Sequence, residues 1–302
     1  MVKLLKPFIL FTLLFIAGKA SAAYLEVTLL GTGTPQPNIE RFGSATLVKA
    51  NGHYFLFDSG RGTTIRLKQA GVPLSQINQV FLTHLHSDHV SGLSDLMLTT
   101  WIWQRQKPIT ITGPKGTNSL SYHIEQAYQA DIAYRSANTR LDETKATLNS
   151  IEIKEEGIVY NDHGIQITAF LVNHYPVDPA YGYKIESGDQ SIVISGDTSY
   201  SENLVVNAQG ADLIIHEIAD ARQALLNRNP RLKKVMAYHT TPEQAARVFR
   251  QTQPKAAVYN HVLLFGISEQ QVMNKTRALY DGKVEMGRDL MKIGVGEQII
   301  FY

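Results

Sequence analysis

A cluster of four potential metal ligands constrains this chain more than any other stretch. His84, His86, Asp88 and His89 fall within six residues. They follow the apolar run 79–82, which is typical of a buried strand. Because His84 and His86 are two residues apart, a turn after the strand lets both rings reach one metal ion. Imidazole and carboxylate suit zinc, and also iron or manganese. A solvated polar loop is the alternative, but four ligand types at this spacing favour a metal site.

Ligand-type side chains recur at the ends of predicted strands. They are Asp58, His84, His174, Asp197, His216 and His261. Predicted helices lie between the strands, over residues 61–70, 92–104, 117–130 and 242–251. Residues 131–164 have no clear pattern and are interpreted as an insertion that could cover the site. This alternation predicts an α/β fold in which distant segments assemble one site from strand ends.

The motif at His84–His89 resembles the signature of the metallo-β-lactamase-fold hydrolases. The other motifs of that family are matched, in chain order, by Asp58, His174, Asp197 and His261. The resemblance covers residues 23–302. It implies an αββα four-layer sandwich, in which two mixed sheets pack together and helices cover both outer faces.

The resemblance also implies a ligand set for two divalent metal ions, expected to be Zn²⁺. The first ion would be bound by His84, His86 and His174. The second ion would be bound by Asp88, His89 and His261. Asp197 would bridge the two ions, and a shared, deprotonated water would be the nucleophile. Asp58 would orient the ligand loop by hydrogen bonds.

A further histidine lies in the segment Tyr238-His239-Thr240-Thr241. This segment resembles the His-Ser/Thr-Thr segment of the tRNase Z and arylsulfatase-like branch, where the histidine stabilises or protonates the leaving group. Glu217 resembles the glutamate that partners this histidine. The predicted catalytic residues are therefore Asp88, His239 and Glu217. A structural role is expected for His216, and no functional role for His53, His123 and His163.

The first 22 residues have the pattern of a secretory signal peptide. Lys3 and Lys6 precede an apolar run over residues 8–17, and Ala20-Ser21-Ala22 is a small-x-small cleavage site. An uncleaved membrane anchor is the alternative, but the run is short for a bilayer. We therefore expect a periplasmic or secreted protein whose hydrolase domain spans residues 23–302, with no membrane insertion after cleavage.

Net charge and the absence of cysteine limit the partners and the metal ligands that this chain can have. Without Lys3, Lys6 and Lys19, the formal net charge falls from +2 to −1. The mature chain would lack the overall positive charge that favours nucleic acid, so a nucleic-acid partner is not expected. The chain contains no cysteine. Any metal site must therefore use histidine and carboxylate, and no disulfide can form.

These features predict an exported dinuclear hydrolase of small phosphodiester or sulfate esters, similar to the arylsulfatase-like members. One alternative is a tRNase Z-like 3′ tRNA-processing endoribonuclease. True tRNase Z commonly inserts a long arm between the matches of His174 and Asp197, where only 22 residues lie here. A lactonase would share Asp197, whereas typical β-lactamases of this fold lack that aspartate and many use a cysteine. A metal-binding protein without catalysis is the non-enzymatic alternative, and the oligomeric state is left open, with a homodimer as one form.

Overall fold

The structure is a computed structural model that describes residues 25–302. The predicted signal peptide, residues 1–22, lies outside the described residues and stays a prediction. Among the described residues, no helix has both the length and the apolar character needed to cross a membrane.

Two sheets form the centre of the molecule. The first half of the chain contributes β1 (Leu25–Gly31), β2 (Ala45–Ala50), β3 (His53–Phe57), β4 (Gln79–Phe81), β5 (Ile109–Gly113) and β6 (Leu148–Glu152). The second half contributes β7 (Gly157–Asp162), β8 (Ile165–Leu171), β9 (Tyr181–Ser187), β10 (Gln190–Ile194), β11 (Leu213–Ala221), β12 (Ala256–Phe265) and β13 (Val284–Met286). The chain then returns to the first sheet with β14 (Lys292–Val295) and β15 (Ile299–Phe301). The strand orders are β15-β14-β1-β2-β3-β4-β5-β6 and β13-β12-β11-β10-β9-β8-β7.

Helices connect the strands and lie on the outer faces of the sheets. Those of the first half are α1 (Thr63–Gln69), α2 (Ser87–Val90), α3 (Leu93–Ile102) and α4 (Thr117–Thr139). Those of the second half are α5 (Glu202–Asn207), α6 (Gln223–Arg228), α7 (Pro230–Met236), α8 (Pro242–Thr252) and α9 (Glu269–Arg277). Two short 3₁₀ helices cover Leu74–Gln76 and Glu143–Ala146.

Three apolar cores hold these layers together. The central core lies between the sheets and includes Val27, Phe55, Tyr183 and Ile215, all buried. A second core packs α1, α3 and part of α4 on the first sheet, and a third packs α5, α8 and α9 on the second. Strands that are buried on both faces alternate less clearly than half-exposed ones, which explains their continuous apolar runs. The predicted αββα sandwich is confirmed.

The strand directions create the edge at which the ligand residues meet. β3, β4 and β5 pair in parallel, and so do β10, β11, β12 and β13. Because β9 is antiparallel to both β8 and β10, β8 runs in the direction of β10. The carboxyl ends of all these strands therefore lie along one end of the sandwich, where ligands commonly bind in α/β sheets. We call this end the site edge.

Residues 131–164 do not form an insertion over the site. α4 continues to Thr139, and the rest of the segment forms β6 and β7, which are edge strands of the two sheets. Edge strands with partly exposed faces need few apolar residues, which explains the weak sequence pattern. Between His174 and Asp197 the chain forms the β9–β10 hairpin, so no arm projects there.

Candidate metal centre

Turns and one bulge position the predicted ligands at the site edge. Asp58 directly follows β3 with a positive φ of 59°, and His84 lies three residues after β4. His261 has a φ of 43° and lies where the β11–β12 register shifts. Bulges of this kind redirect a side chain beside active sites. At Gly60 a Cβ would lie only 2.2 Å from the Asp88 carbonyl oxygen, so this glycine lets the ligand turn pack closely.

The first cluster brings together three histidines and one aspartate. His86 Nδ1 lies 2.9 Å from His84 Nε2 and 3.3 Å from His174 Nε2. Asp197 Oδ2 lies 3.8 Å from His84 Nε2 and 3.9 Å from His174 Nε2. One ligand atom from each residue therefore falls within 4.8 Å of all the others, which fits one cation.

The second cluster lies against the first through the same aspartate. His261 Nε2 is 3.1 Å from Asp88 Oδ2, and His89 Nε2 is 3.5 Å from that oxygen. Asp197 Oδ2 is 3.4 Å from both His89 Nε2 and His261 Nε2. One carboxylate oxygen of Asp197 thus faces the ligand atoms of both clusters.

Buried polar atoms without partners show that these residues fit divalent cations. His89 Nε2 and Asp197 Oδ1 are buried and have no hydrogen-bond partner among the residues that the structure describes. Leaving such atoms unpaired is costly, so native proteins rarely do it without an ion, a water or a catalytic reason. A cation that uses both atoms would remove this cost. Imidazole and carboxylate are the appropriate donors.

Asp58 and Thr83 hold the ligand loop from behind. The Asp58 carboxylate accepts hydrogen bonds from the Thr83 backbone N–H at 2.8 Å and from the Thr83 hydroxyl at 2.9 Å. Its Oδ2 lies 2.7 Å from His89 Nδ1. A carboxylate on one ring nitrogen fixes the imidazole so that the other nitrogen faces the metal. The Asp58 contacts have the form expected from the sequence, whereas the contact with Thr83 is additional.

The pKa values of the clustered side chains favour cation binding. Burial lowers the pKa of His84 well below its ordinary value and also lowers the pKa of His174, which keeps both rings neutral. Burial opposes ionisation of Asp197, but His261 and His89 outweigh it and hold the aspartate pKa well below its usual range. Burial likewise opposes the charged form of His89, yet Asp197 and Asp58 raise its pKa well above normal. The carboxylates that favour a proton on His89 would equally favour a metal cation in its place.

A buried histidine–glutamate pair lies beside the two clusters. His239 Nδ1 is 3.0 Å from Glu217 Oε1. The same oxygen accepts backbone hydrogen bonds from Thr198 at 3.0 Å and from Thr240 at 3.1 Å. Burial favours neutral His239, but Glu217 outweighs it and raises the His239 pKa to about 9. The predicted His239–Glu217 contact is therefore present, and at neutral pH it favours a protonated imidazole.

A cavity of about 280 Å³ opens onto both clusters and onto His239. Its polar wall includes His86, Asp88, Asp197 and His261. The rest of its lining comprises Thr34, Pro35, Gln36, Val235, Tyr238, Leu263 and Phe265. The sequence did not indicate that Val235, Tyr238, Leu263 and Phe265 line this cavity. The apolar run after His261 could have indicated the last two, because it continues the strand past the ligand.

The remaining histidines do not join the clusters. His216 is buried next to Glu217, and its Nδ1 lies 2.7 Å from the Glu217 carbonyl oxygen. His53 and His163 stack at 4.0 Å between ring centroids, at the end of the sandwich opposite the site edge. His123 lies exposed on α4.

The fold and the clustered donors define the class of this protein: a metal-dependent hydrolase with the metallo-β-lactamase fold. A family model described as "Anti-Pycsar protein Apyc1" matches residues 25–262, and the chain belongs to that family, within the tRNase Z branch of the fold.

Curated relatives support this branch. A ribonuclease Z from Mycobacterium sp. strain KMS is 34% identical over 275 residues, which cover 90% of this chain and 96% of the relative. A ribonuclease Z from Mycobacterium bovis strain BCG / Pasteur 1173P2 is 35% identical over 280 residues, with 90% and 98% covered.

Solved structures share the fold. The metallo-β-lactamase-fold protein YhfI from Bacillus subtilis superposes with a TM-score of 0.68 at 18% identity, over 90% of this chain and 99% of YhfI. The short form of human tRNase Z superposes with a TM-score of 0.67 at 24% identity, with 90% and 99% covered.

These relatives correct two expectations. The exported arylsulfatase-like hydrolase of small esters is wrong as the main interpretation, because near-full-length relatives are named ribonuclease Z. The expectation of a small-molecule ester in place of nucleic acid is wrong for the same reason. Net charge is a poor guide to nucleic-acid binding because it averages over the whole surface, whereas a nucleic acid contacts only one part of a protein.

Proposed function

We propose that this protein is a ribonuclease Z-like phosphodiesterase that hydrolyses an RNA phosphodiester bond and uses two divalent cations, expected to be zinc. The observation that carries the proposal is the cavity shared by the two ligand clusters and the His239–Glu217 pair. Relatives named ribonuclease Z, at 34–35% identity over 90% of this chain, support RNA as the substrate.

The ligand clusters would position the reacting phosphate. His84, His86, His174 and Asp197 would bind one cation, and Asp88, His89, His261 and Asp197 the other. Bound cations supply Lewis-acid stabilisation of the phosphate oxygens and a nucleophile from water at neutral pH. Asp88 lines the cavity and contacts His261, so it can orient the attacking water as well as bind a cation.

His239 would act on the leaving group. When water attacks phosphorus, the bond from phosphorus to the leaving ribose oxygen breaks and that oxygen needs a proton. His239 lines the cavity and holds a proton because Glu217 raises its pKa to about 9. The Thr198 and Thr240 backbone N–H groups fix the Glu217 oxygen, so the imidazole keeps one orientation. This arrangement is suited to general acid catalysis.

A competing role for His239 is metal binding, since one atom each from Asp197, His239 and His261 lie within 4.8 Å of one another. A ligating histidine must be neutral at the ligating nitrogen. A carboxylate contact at Nδ1, as at His89, suits either role, but Asp197 and His261 already belong to the two ligand clusters, which favours the acid role for His239.

The test is cleavage of a precursor tRNA carrying a 3′ trailer by the full chain, with and without a chelator. We expect an endonucleolytic cut that needs a divalent cation. His86→Ala should abolish it, whereas His53→Ala, which changes an exposed histidine at the opposite end, should not. An intact precursor in the presence of metal-loaded wild-type protein would refute the proposed function.

A further inference from the structure

The segment between β11 and His239 carries an unusual concentration of positive charge. Residues 222–238 contain Arg222, Arg228, Arg231, Lys233 and Lys234 and no Asp or Glu. The described chain outside this segment has 21 Lys and Arg against 27 Asp and Glu. A body with excess negative charge therefore presents one compact basic element, formed by α6 and α7, which we call the basic hairpin.

The basic hairpin lies on the surface of the molecule. α6 buries no residue, and α7 buries only Leu232. Asn229 caps α7 by accepting a hydrogen bond from the Leu232 N–H at 3.1 Å, and Pro230 occupies the first helical turn. Both features favour a defined helix start. The hairpin is thus ordered by local interactions while its polar faces remain open to a partner.

Its cations are exposed and unpaired. All five basic side chains are exposed, and none forms a salt bridge with any residue between 25 and 302. The acid at the end of β11, Asp220, pairs instead with Lys275 at 2.7 Å. Exposed cations that no carboxylate neutralises are available to phosphate groups.

The hairpin borders the catalytic cavity directly. The Arg222 N–H donates to the Phe265 carbonyl at 3.0 Å, and Phe265 lines the cavity. At the other end, Val235 and Tyr238 line the cavity as well. Arg231 is four residues before Val235, and Lys234 is four residues before Tyr238, so each cation lies about one helical turn from a residue that lines the cavity. These two cations therefore lie beside the cavity mouth.

We infer that the basic hairpin binds the RNA backbone next to the scissile bond and supplies the electrostatic grip on the substrate. This inference rests on the proposed function. The stretch between His174 and Asp197 forms the β9–β10 hairpin, and no arm projects from it. The basic hairpin, in contrast, borders the cavity and can contact the RNA backbone there. Phosphate contacts position a nucleic acid without reading its sequence, so the grip would be non-specific and weakened by salt.

The test compares two double variants of the full chain with the same change of charge. The hairpin variant is Arg231→Gln with Lys234→Gln. The control variant is Arg140→Gln with Lys107→Gln, two exposed cations without salt bridges among the described residues; Arg140 follows α4 and Lys107 borders the opposite-end cavity. Each is assayed on the precursor tRNA across a salt series and on bis(p-nitrophenyl) phosphate, whose single phosphate is the reacting one and which therefore offers no further phosphate to the hairpin cations.

For the hairpin variant we expect kcat/KM on the precursor tRNA to fall about 10- to 50-fold below wild type, mainly through a higher KM. Its kcat/KM on the small diester should stay at the wild-type value. The slope of log kcat/KM against log salt concentration should become shallower by about one to two, since each lost phosphate contact removes about one unit. The control variant should match wild type on both substrates.

Two results would overturn the inference. One is a hairpin variant that cleaves RNA as well as the control variant does. The other is normal RNA cleavage by a hairpin variant that has lost binding to vesicles of anionic phospholipid, which would make the hairpin a membrane contact. Failure of the proposed function looks different, because wild-type protein would then hydrolyse the small diester and leave the RNA uncut at every salt concentration.

Discussion

The two ends of the sandwich both carry histidines beside a cavity, yet only one end is equipped for metal chemistry. The opposite-end cavity is larger, about 720 Å³ against 280 Å³ at the site edge. There the side chains of His163 and Asp162 are 50% and 65% exposed, whereas those of His84 and Asp197 are 0% and 3% exposed. Among residues 25–302, every group of three or more potential ligands lies at the site edge.

The difference lies in how the side chains are brought together. His53 and His163 lie at two turns that contact each other in space, and their rings stack face to face. His84, His174, Asp197 and His261 come from four separate segments and converge with buried donor atoms. Neither histidine content nor cavity volume therefore identifies the site. Convergence on carboxylates in a buried setting does so.

The largest effect should come from the aspartate that faces both clusters. Asp197→Asn keeps the size of the side chain but removes the charge that the surrounding histidines require. We expect kcat/KM on RNA to fall by about 10³-fold or more, since transition-state stabilisation worth several kcal/mol would be lost. His163→Asn, the matched change at the opposite end, should stay within about twofold. Equal activities in the two variants would remove the distinction between the two ends.

Loss of His239 should be nearly as large but should spare metal content. General acid catalysis is typically worth about 10²–10⁴-fold in rate. His239→Ala should lower kcat on RNA within that range while metal content stays at the wild-type level. The loss should shrink on a nitrophenyl diester, because that leaving group needs little protonation. If the variant loses metal, His239 is a ligand and the acid role is wrong.

Asp58 should affect metal affinity more than chemistry. Its carboxylate contacts Thr83 and His89 without entering either ligand cluster. Outer hydrogen-bond partners of metal ligands typically contribute about 10–100-fold in metal affinity. Asp58→Asn should therefore weaken zinc binding, measured by competition with a chromogenic chelator, within that range. Activity should recover at saturating zinc; activity that stays low at saturation would assign Asp58 a direct part in catalysis.

The smallest effect should be a shift in pH dependence. Glu217 raises the pKa of His239 to about 9, so the proton needed for the leaving group is present below that pH and lost above it. Glu217→Gln preserves the size but removes the charge, and the His239 pKa should fall toward its ordinary value of about 6.5. The alkaline limb of the kcat profile should move to lower pH. A limb that stays in place would mean that another group controls it.

The sequence located the side chains that converge at the site edge, and their role in metal binding stays a prediction. Asp58, His84, Asp197 and His261 are identifiable because each is a short-range signal, a polar residue at the end of an apolar strand. The cavity wall was harder to predict from the sequence, because Val235 of α7 and Tyr238 just after it reach the cavity only through the packing of α7 against β11. The expectation of a small-ester substrate relied on a net charge of −1, which averages over the five cations clustered in residues 222–238.

The metal content of the purified full-length protein, measured by inductively coupled plasma mass spectrometry, tests the two-metal site directly. We expect about two divalent metal equivalents per chain in wild type, since one carboxylate faces two ligand clusters. Asp197→Asn should lose most of this metal while retaining wild-type circular dichroism, and the His53→Ala, His163→Asn double variant should keep it all. Wild-type protein that binds no metal after incubation with zinc, or an Asp197→Asn variant that retains both equivalents, would contradict the account.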